Sequence, residues 1–181
     1  MAALYLPPFR IDFERRPAVE AIVPARKLAL TAVAALRAGG APGPASLALI
    51  LTDDEELAEL NIEHMGKPGP TDVLSFPMLP PAAFFAHAGQ DPAMRAGGVA
   101  DFAWPPRQRQ HLCDIVISVE LAIEQAEQGR GGQTLDVRWS ARDELRLLVV
   151  HGVLHVCGWD HALPAERDAM RALEMKILAG R

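Results

Sequence analysis

The chain has 181 residues, of which 50% are apolar and 23% charged, as expected of one globular domain with its own core. Its net charge of −5 argues against a generally basic nucleic-acid-binding surface, and its apolar runs fall short of the ~18 residues that a membrane span needs. The N-terminus, broken by prolines and charges, is not typical of a signal peptide. We therefore expect a single domain over residues 1–181.

The two cysteines, Cys113 and Cys157, lie in apolar surroundings without the paired spacing of a redox or metal motif. This pattern predicts two buried, reduced thiols. A cytoplasmic location fits them best.

Capping residues and apolar patterns divide the chain into strands and helices. Strands are predicted at 5–13, interrupted by Pro7 and Pro8, and at 46–52, 72–78 and 114–118. Helices are predicted at 24–36, at 56–65 after a capping box that begins at Thr52, at 118–127, at 142–157 after a box at Ser140 and Asp143, and at 164–179. The helix over 142–157 is apolar around most of its circumference, which indicates a buried position. In the last helix, Ala169, Leu173 and Ile177 form one apolar stripe.

Residues 80–110 are rich in proline, glycine and alanine and are too long for an ordinary connection. We predict a flexible insertion there. Its aromatic and basic side chains could stack on and pair with nucleic acid, or the segment could pack on the domain as a partly ordered flap. These side chains are Phe84, Phe85, Phe102, Trp104, Arg107 and Arg109.

Three histidines fall within the eleven residues HGVLHVCGWDH, from His151 to His161. His151 and His155 are four residues apart and so project from one face of the buried helix. Gly158 can adopt the left-handed conformation that ends a helix and turns His161 back toward the same point. Three histidine ligands leave one open position on a tetrahedral zinc ion, which is typical of catalytic sites. The sequence therefore predicts a metal site at the end of this helix.

Gly152 stands where zinc proteases with this histidine spacing carry the glutamate that accepts a proton from the attacking water. Peptide hydrolysis by that route is therefore disfavoured. A site without anionic ligands keeps the full charge of the ion and favours an anionic substrate such as a phosphodiester. A glycine here also allows substrate or another segment to approach the helix closely.

The neighbouring residues leave alternatives open. Asp160 could accept a ring N–H of a ligand or cap the turn. His64, His87 and His111 lie outside the cluster, and ordinary surface or core roles are expected for them.

The chain resembles the bacterial YbeY-type rRNA maturation factors. The resemblance rests on HGVLHVCGWDH, on the preceding DELRLLVV, on PTDVLSFP at 70–77 and on DIVIS at 114–118. It implies an α+β fold with a small mixed sheet of about four strands flanked by about five helices, and zinc bound by His151, His155 and His161. It also implies a single-strand-specific endoribonuclease that matures the three-prime end of small-subunit rRNA, with ribosomal RNA and small-subunit assembly factors as partners and neither DNA nor membrane.

The sequence departs from the family pattern at two positions. Met65 stands where the family has an arginine credited with a catalytic role, and a thioether cannot hold a phosphate as arginine does. Lys67, Arg107 and Arg109 are possible substitutes. Cys113 replaces a glycine before the DIVIS strand, where it is expected to fill core space.

Two other functions compete with a metal-dependent endoribonuclease. One is a ribosome-assembly module that binds RNA or protein, with a structural metal and little or no catalysis, an alternative that Met65 favours. The other is a metalloprotease, which the missing glutamate opposes.

Overall fold

The computed structural model of the chain describes residues 1–84, 87, 109–129 and 139–180. Within these ranges the chain forms five β-strands and five α-helices. The strands are β1 (Ala2–Leu6), β2 (Phe9–Arg15), β3 (Ala45–Thr52), β4 (Val73–Pro77) and β5 (Gln110–Ser118). The helices are α1 (Ala25–Ala38), α2 (Asp54–Met65), α3 (Val119–Glu127), α4 (Ala141–Val156) and α5 (Pro164–Ala179).

The five strands form one mixed sheet in the order β1-β2-β3-β5-β4. The central strands β2, β3 and β5 are parallel, whereas the edge strands β1 and β4 run antiparallel to their neighbours. The expected α+β architecture, with a mixed sheet and five helices, is confirmed.

The strand count differs from the prediction because the range 5–13 forms a hairpin rather than one interrupted strand. Pro7 and Pro8 occupy the turn, and Leu6 of β1 pairs with Phe9 of β2. Proline has no N–H to donate to a ladder, so two consecutive prolines favour a reversal of the chain over a continuous strand. The sheet therefore has five strands rather than about four.

The two faces of the sheet are covered by different helices. Ile115 and Ile117 of β5 belong to the main core with α1 and α4, whereas Val116 packs with Leu57 of α2 and Leu74 of β4. Successive side chains of a strand point to opposite faces, so α2 lies across the sheet from α4.

Helix α4 is the central helix of the main core, as its apolar circumference predicted. Ser140 and Asp143 form the expected capping box at its start. The helix contacts α1, α3, α5, β4 and β5. This packing fixes the position of its last turn, which carries the histidines.

The residue that caps α2 lies one position later than the predicted Thr52, and the helix itself begins at Asp54 rather than at 56. Asp53 caps the helix and accepts a hydrogen bond from the Glu56 N–H at 3.0 Å, while the Thr52 hydroxyl contacts the Glu56 carboxylate instead. The predicted stop at Gly66 is confirmed by its left-handed φ of 65°.

Most of the predicted insertion lies outside the described residues, including Phe85, Phe102, Trp104 and Arg107. Phe84 is described and belongs to the main core with 4% of its surface exposed. Among the described helices, none has the length and apolar character needed to cross a membrane.

Candidate metal centre

The structure brings His151, His155 and His161 together at the end of α4. One ring nitrogen from each lies within 4.8 Å of the others, and the Nε2 atoms of His151 and His155 are 3.0 Å apart. A single ion of the size of Zn²⁺ contacts histidine nitrogens at about 2.0–2.1 Å, so three donors this close suit one shared ion.

The bend after α4 carries His161 to this point. Gly158 adopts a φ of +85°, and the Trp159 and Gly158 N–H groups donate to the carbonyls of Leu154 and His155. This bond pair is the Schellman arrangement that ends a helix at a left-handed glycine. A Cβ at Gly158 would also lie only 3.3 Å from the backbone of Pro81. The left-handed conformation expected at this glycine is confirmed.

The environment of His155 keeps its ring uncharged near neutral pH. Its pKa is lowered to about 4, chiefly by burial and in smaller part by the neighbouring His151 and His161. A neutral imidazole has a lone pair for a cation, so the donor set fits a divalent metal.

Two buried glutamates of α5 complete the surroundings of the histidines. Glu174 Oε1 lies 2.8 Å from Nδ1 of His151, and Glu166 Oε1 accepts a hydrogen bond from the Asp160 N–H at 3.2 Å. Sequence reasoning missed both residues, because it placed the packed stripe of α5 on Ala169, Leu173 and Ile177. These three are half-buried, and the buried positions are Glu166, Met170 and Glu174.

Asp160 caps the turn, one of the two roles considered for it. Its Oδ1 accepts a hydrogen bond from the His161 backbone N–H at 2.7 Å. The bond stabilises the turn directly before the last histidine.

The three histidines outside the cluster have other partners. His87 stacks on Trp159 with 4.0 Å between ring centroids and places its Nε2 2.8 Å from the Gly158 carbonyl oxygen. His64 packs edge-on against Phe76, and His111 bonds to Ser46 and Asp114. None of them joins the cluster.

A cleft of about 710 Å³ opens beside His151 and His161. Its walls come from α3, α4, α5 and the residue before β4. Charged side chains of both signs line it, namely Asp72, Glu144, Arg167, Asp168, Arg171 and Glu174. Two of the three clustered histidines are therefore open to this cleft.

Comparison with known proteins assigns the family. The sequence model described as Endoribonuclease YbeY matches residues 19–180. The chain belongs to the endoribonuclease YbeY family. This confirms the resemblance found in the sequence and the enzyme class that it implied, an endoribonuclease.

Relatives and a solved structure accompany the family match. The chain is 38% identical over 136 residues to endoribonuclease YbeY of Thermobifida fusca, covering 75% of this chain and 72% of that protein. It is 39% identical over 140 residues to endoribonuclease YbeY of Salinispora tropica, covering 75% and 73%. The solution structure of TM1509 from Thermotoga maritima aligns with a TM-score of 0.49 at 18% identity, over 93% of this chain and 89% of that one.

Gly152 of this YbeY-family chain faces the sheet. A Cβ there would lie 3.0 Å from Ser75 Oγ, 3.1 Å from Ile115 Cγ2 and 3.3 Å from Val73 Cγ2. The segment that approaches the helix closely is therefore the sheet, and a glutamate at 152 would collide with it. The packing accordingly opposes the metalloprotease alternative.

Two of the residues considered as substitutes for the family arginine, Lys67 and Arg109, do not line the cleft, and the third, Arg107, lies outside the described residues. Met65 is 47% exposed at the end of α2, and Lys67 is exposed in the loop that follows. The Arg109 guanidinium lies over the Tyr5 ring at 4.6 Å, toward the β1 edge of the sheet. Arginines that do line the cleft beside the histidines are Arg167 and Arg171 of α5, which sequence reasoning did not select.

Both cysteines are buried, as predicted, and neither joins the cluster. Burial raises the pKa of Cys157 to about 12 and raises the pKa of Cys113 well above its usual value. The Cys157 sulfur packs toward Gly39 at the end of α1. Protonated thiols are poor metal ligands, so the two cysteines fill core space.

Proposed function

We propose that this YbeY-family chain is a metal-dependent, single-strand-specific endoribonuclease that matures the three-prime end of small-subunit rRNA. In this proposal His151, His155 and His161 bind one Zn²⁺ ion and thereby act in catalysis. The observation that carries it is the convergence of three imidazole nitrogen donors within 4.8 Å beside an open cleft.

The charge of the ligand set favours a phosphodiester substrate. None of the three ligands is an anionic side chain, so the site retains the charge of the cation that it holds. A bound divalent cation supplies a Lewis acid that polarises a phosphoryl oxygen and lowers the pKa of water to ~7. Arg167 and Arg171 line the same cleft, where guanidinium groups can bind further phosphates of an RNA strand.

Zinc is the metal that this donor set fits best. Imidazole nitrogens suit it, and three protein ligands leave the fourth tetrahedral position open. The same nitrogens accept other divalent ions of the first transition row, so metal analysis is part of the test.

The setting of the reaction follows from the same proposal. We expect a cytoplasmic enzyme that works as one domain over 1–181, with a flexible insertion at 80–110. Its partners are ribosomal RNA and small-subunit assembly factors, rather than DNA or a membrane.

The His155→Ala variant lacks one of the three proposed ligands. We therefore expect it to lose bound zinc and to cleave single-stranded RNA at a rate reduced by roughly 100-fold or more. Metal content is measured by mass spectrometry and cleavage on a labelled RNA. The control is His111→Gln, which removes a histidine that bonds Ser46 and Asp114 on another part of the sheet.

Unchanged zinc content in His155→Ala would refute the ligand assignment. RNA binding without cleavage under any metal condition would instead favour the assembly-module alternative. Proteolysis of a denatured polypeptide that stops on chelation would favour the metalloprotease.

A further inference from the structure

Helix α5 buries two carboxylates against the metal-bearing end of α4. Glu166 and Glu174 are 4% and 8% exposed and lie on the same face of the helix as Met170. Charged side chains are almost never buried so fully unless a partner compensates the loss of water. The partners of these two carboxylates therefore indicate what the buried face of α5 does.

The two glutamates have different partners. Glu166 accepts from the backbone N–H of Asp160, whereas Glu174 Oε1 lies 2.8 Å from a ring nitrogen of His151, one of the three clustered histidines. Only Glu174 thus contacts a side chain that the proposed function assigns to the metal.

We propose that Glu174 is the positioning residue of the metal centre, holding His151 with its Nε2 lone pair directed at the point shared with His155 and His161. This inference rests on the proposed function, because it assumes that the three histidines bind a cation. Glu174 itself does not contact the ion in this proposal.

The chemistry of the pair fixes which nitrogen carries the proton. An ionised carboxylate can only accept hydrogen bonds, so Nδ1 of His151 must be the donor. In a neutral imidazole the lone pair then lies on Nε2. Nε2 is the atom that lies 3.0 Å from Nε2 of His155, inside the cluster. Glu174 therefore selects the tautomer that can bind a metal at this point.

The bond also fixes the orientation of the ring. The His151 side chain lines the cleft and is 29% exposed, so packing alone does not enclose the ring. The side chain of Glu174, only 11% exposed, comes from a separate helix packed on α4, and its bond to Nδ1 restricts rotation of the ring. A carboxylate bonded to a metal-ligating histidine typically improves metal affinity by about 10- to 100-fold.

The test measures zinc affinity and the tautomer of His151 in the full chain. Zinc dissociation constants are determined by competition with a chromophoric chelator for wild type, Glu174→Gln and Glu174→Ala. We expect Glu174→Ala to bind zinc about 10- to 100-fold more weakly. Glu174→Gln, which keeps an acceptor oxygen without the charge, should lie between the two.

The matched control is Asp168→Asn. Asp168 lies on the same helix and lines the same cleft, but its side chain is 76% exposed and pairs with Arg167. The variant removes one negative charge from the cleft without touching a histidine. Zinc affinity within about twofold of wild type is expected, since exposed charges are screened by solvent.

Nitrogen NMR of the metal-free protein gives a readout that a merely structural role would not change. In wild type, His151 should be protonated at Nδ1, and in Glu174→Ala the two tautomers should be mixed. Should Glu174→Ala fail to fold, the isosteric Glu174→Gln and the wild-type tautomer still decide the matter. Wild-type affinity in a folded Glu174→Ala or Glu174→Gln variant, or His151 protonated at Nε2 in wild type, would overturn the proposal.

The experiments distinguish a failure of the proposed function from a failure of the proposed role of Glu174. If wild type and His155→Ala bind zinc equally, the ligand assignment itself has failed. If His155→Ala loses zinc but the Glu174 variants do not, only the role of Glu174 is wrong.

Discussion

Gly152 links the packing of α4 to the chemistry of its end. The residue follows His151 directly, and the nearest atoms to its missing Cβ belong to Ser75 on β4 and Ile115 on β5. From the sequence, a glycine here indicated that either substrate or another segment of the chain approaches the helix closely, without deciding between the two. The answer depends on which strands lie beneath α4, and the order of the sheet, rather than the residues near 152, determines those strands.

Replacing this glycine tests the close approach. Alanine normally stabilises a helix interior by about 0.8–1.0 kcal/mol relative to glycine. In Gly152→Ala, however, contacts at 3.0 Å and 3.1 Å force α4 away from the sheet, and overpacking of this kind costs about 1–3 kcal/mol. We therefore expect a net loss of about 1 kcal/mol in the free energy of unfolding, measured by urea denaturation.

The control for this prediction removes the nearest contact. Ser75→Ala deletes the hydroxyl that lies 3.0 Å from the added Cβ, so the double variant should recover part of the loss. A Gly152→Ala protein more stable than wild type would show that the helix and sheet can separate at no cost.

The elements differ in how far their own residues determine them. The start of α4 needs only Ser140 and Asp143, because the side chain of each accepts a hydrogen bond from the backbone N–H of the other. This start was predicted correctly. The buried face of α5 was not, because Glu166 and Glu174 are buried only through partners on a different segment. Hydrophobic patterning counts a glutamate as exposed and cannot register such partners.

Helix α2 owes part of its stability to a contact with Arg16, the residue that follows β2. Arg16 Nε donates to Glu56 Oε2 at 2.8 Å, and this bond is the main cause that lowers the pKa of Glu56 from its ordinary 4.5. Burial opposes the shift, and the Thr52 hydroxyl adds to it. A carboxyl whose pKa is lower in the folded protein contributes stability that is present above its ordinary pKa and is lost as the pH falls through the folded value.

Glu56→Gln should therefore destabilise the protein at neutral pH and do so less in acid. Urea unfolding of both proteins between about pH 7 and about pH 3 gives the difference as a function of pH. The difference should shrink as Glu56 of wild type becomes protonated. Glu59→Gln, an exposed change on the same helix, should show no such trend. A destabilisation by Glu56→Gln that does not change with pH would mean that the negative charge of Glu56 does not stabilise the folded protein.

For the molecule as a whole, the class of fold and the convergence of the histidines could be predicted from the sequence. The order of the strands in the sheet and the walls of the cleft could not. The spacing of His151, His155 and Gly158 is local, and a helix with a left-handed end brings the three histidine residues close together without help from distant segments, although the orientation of the His151 ring depends on Glu174. The order of the sheet and the cleft walls depend on contacts between distant segments. Asp72, which lines the cleft, meets Gln125 of α3 across 53 positions of sequence.

The same architecture separates folding from metal binding. The main core runs from β2 and α1 through β3 and β5 to α4, and its buried side chains include Ile11, Leu28, Leu49, Ile115 and Leu154. The histidines lie at one end of this core, where His161 is exposed. Apolar burial on this scale can hold a domain of this size together without a metal.

Chelation should therefore leave the protein folded but less stable. With EDTA we expect the circular dichroism of the helices and a cooperative thermal transition to persist. Adding zinc to about 100 times its dissociation constant should then stabilise the fold by about 2.7 kcal/mol, because the ion binds only the folded state. His155→Ala should show no such gain. Loss of helical signal on chelation alone would instead identify a structural metal, and it would transfer support to the assembly-module alternative, in which the cation holds the domain together rather than acting on RNA.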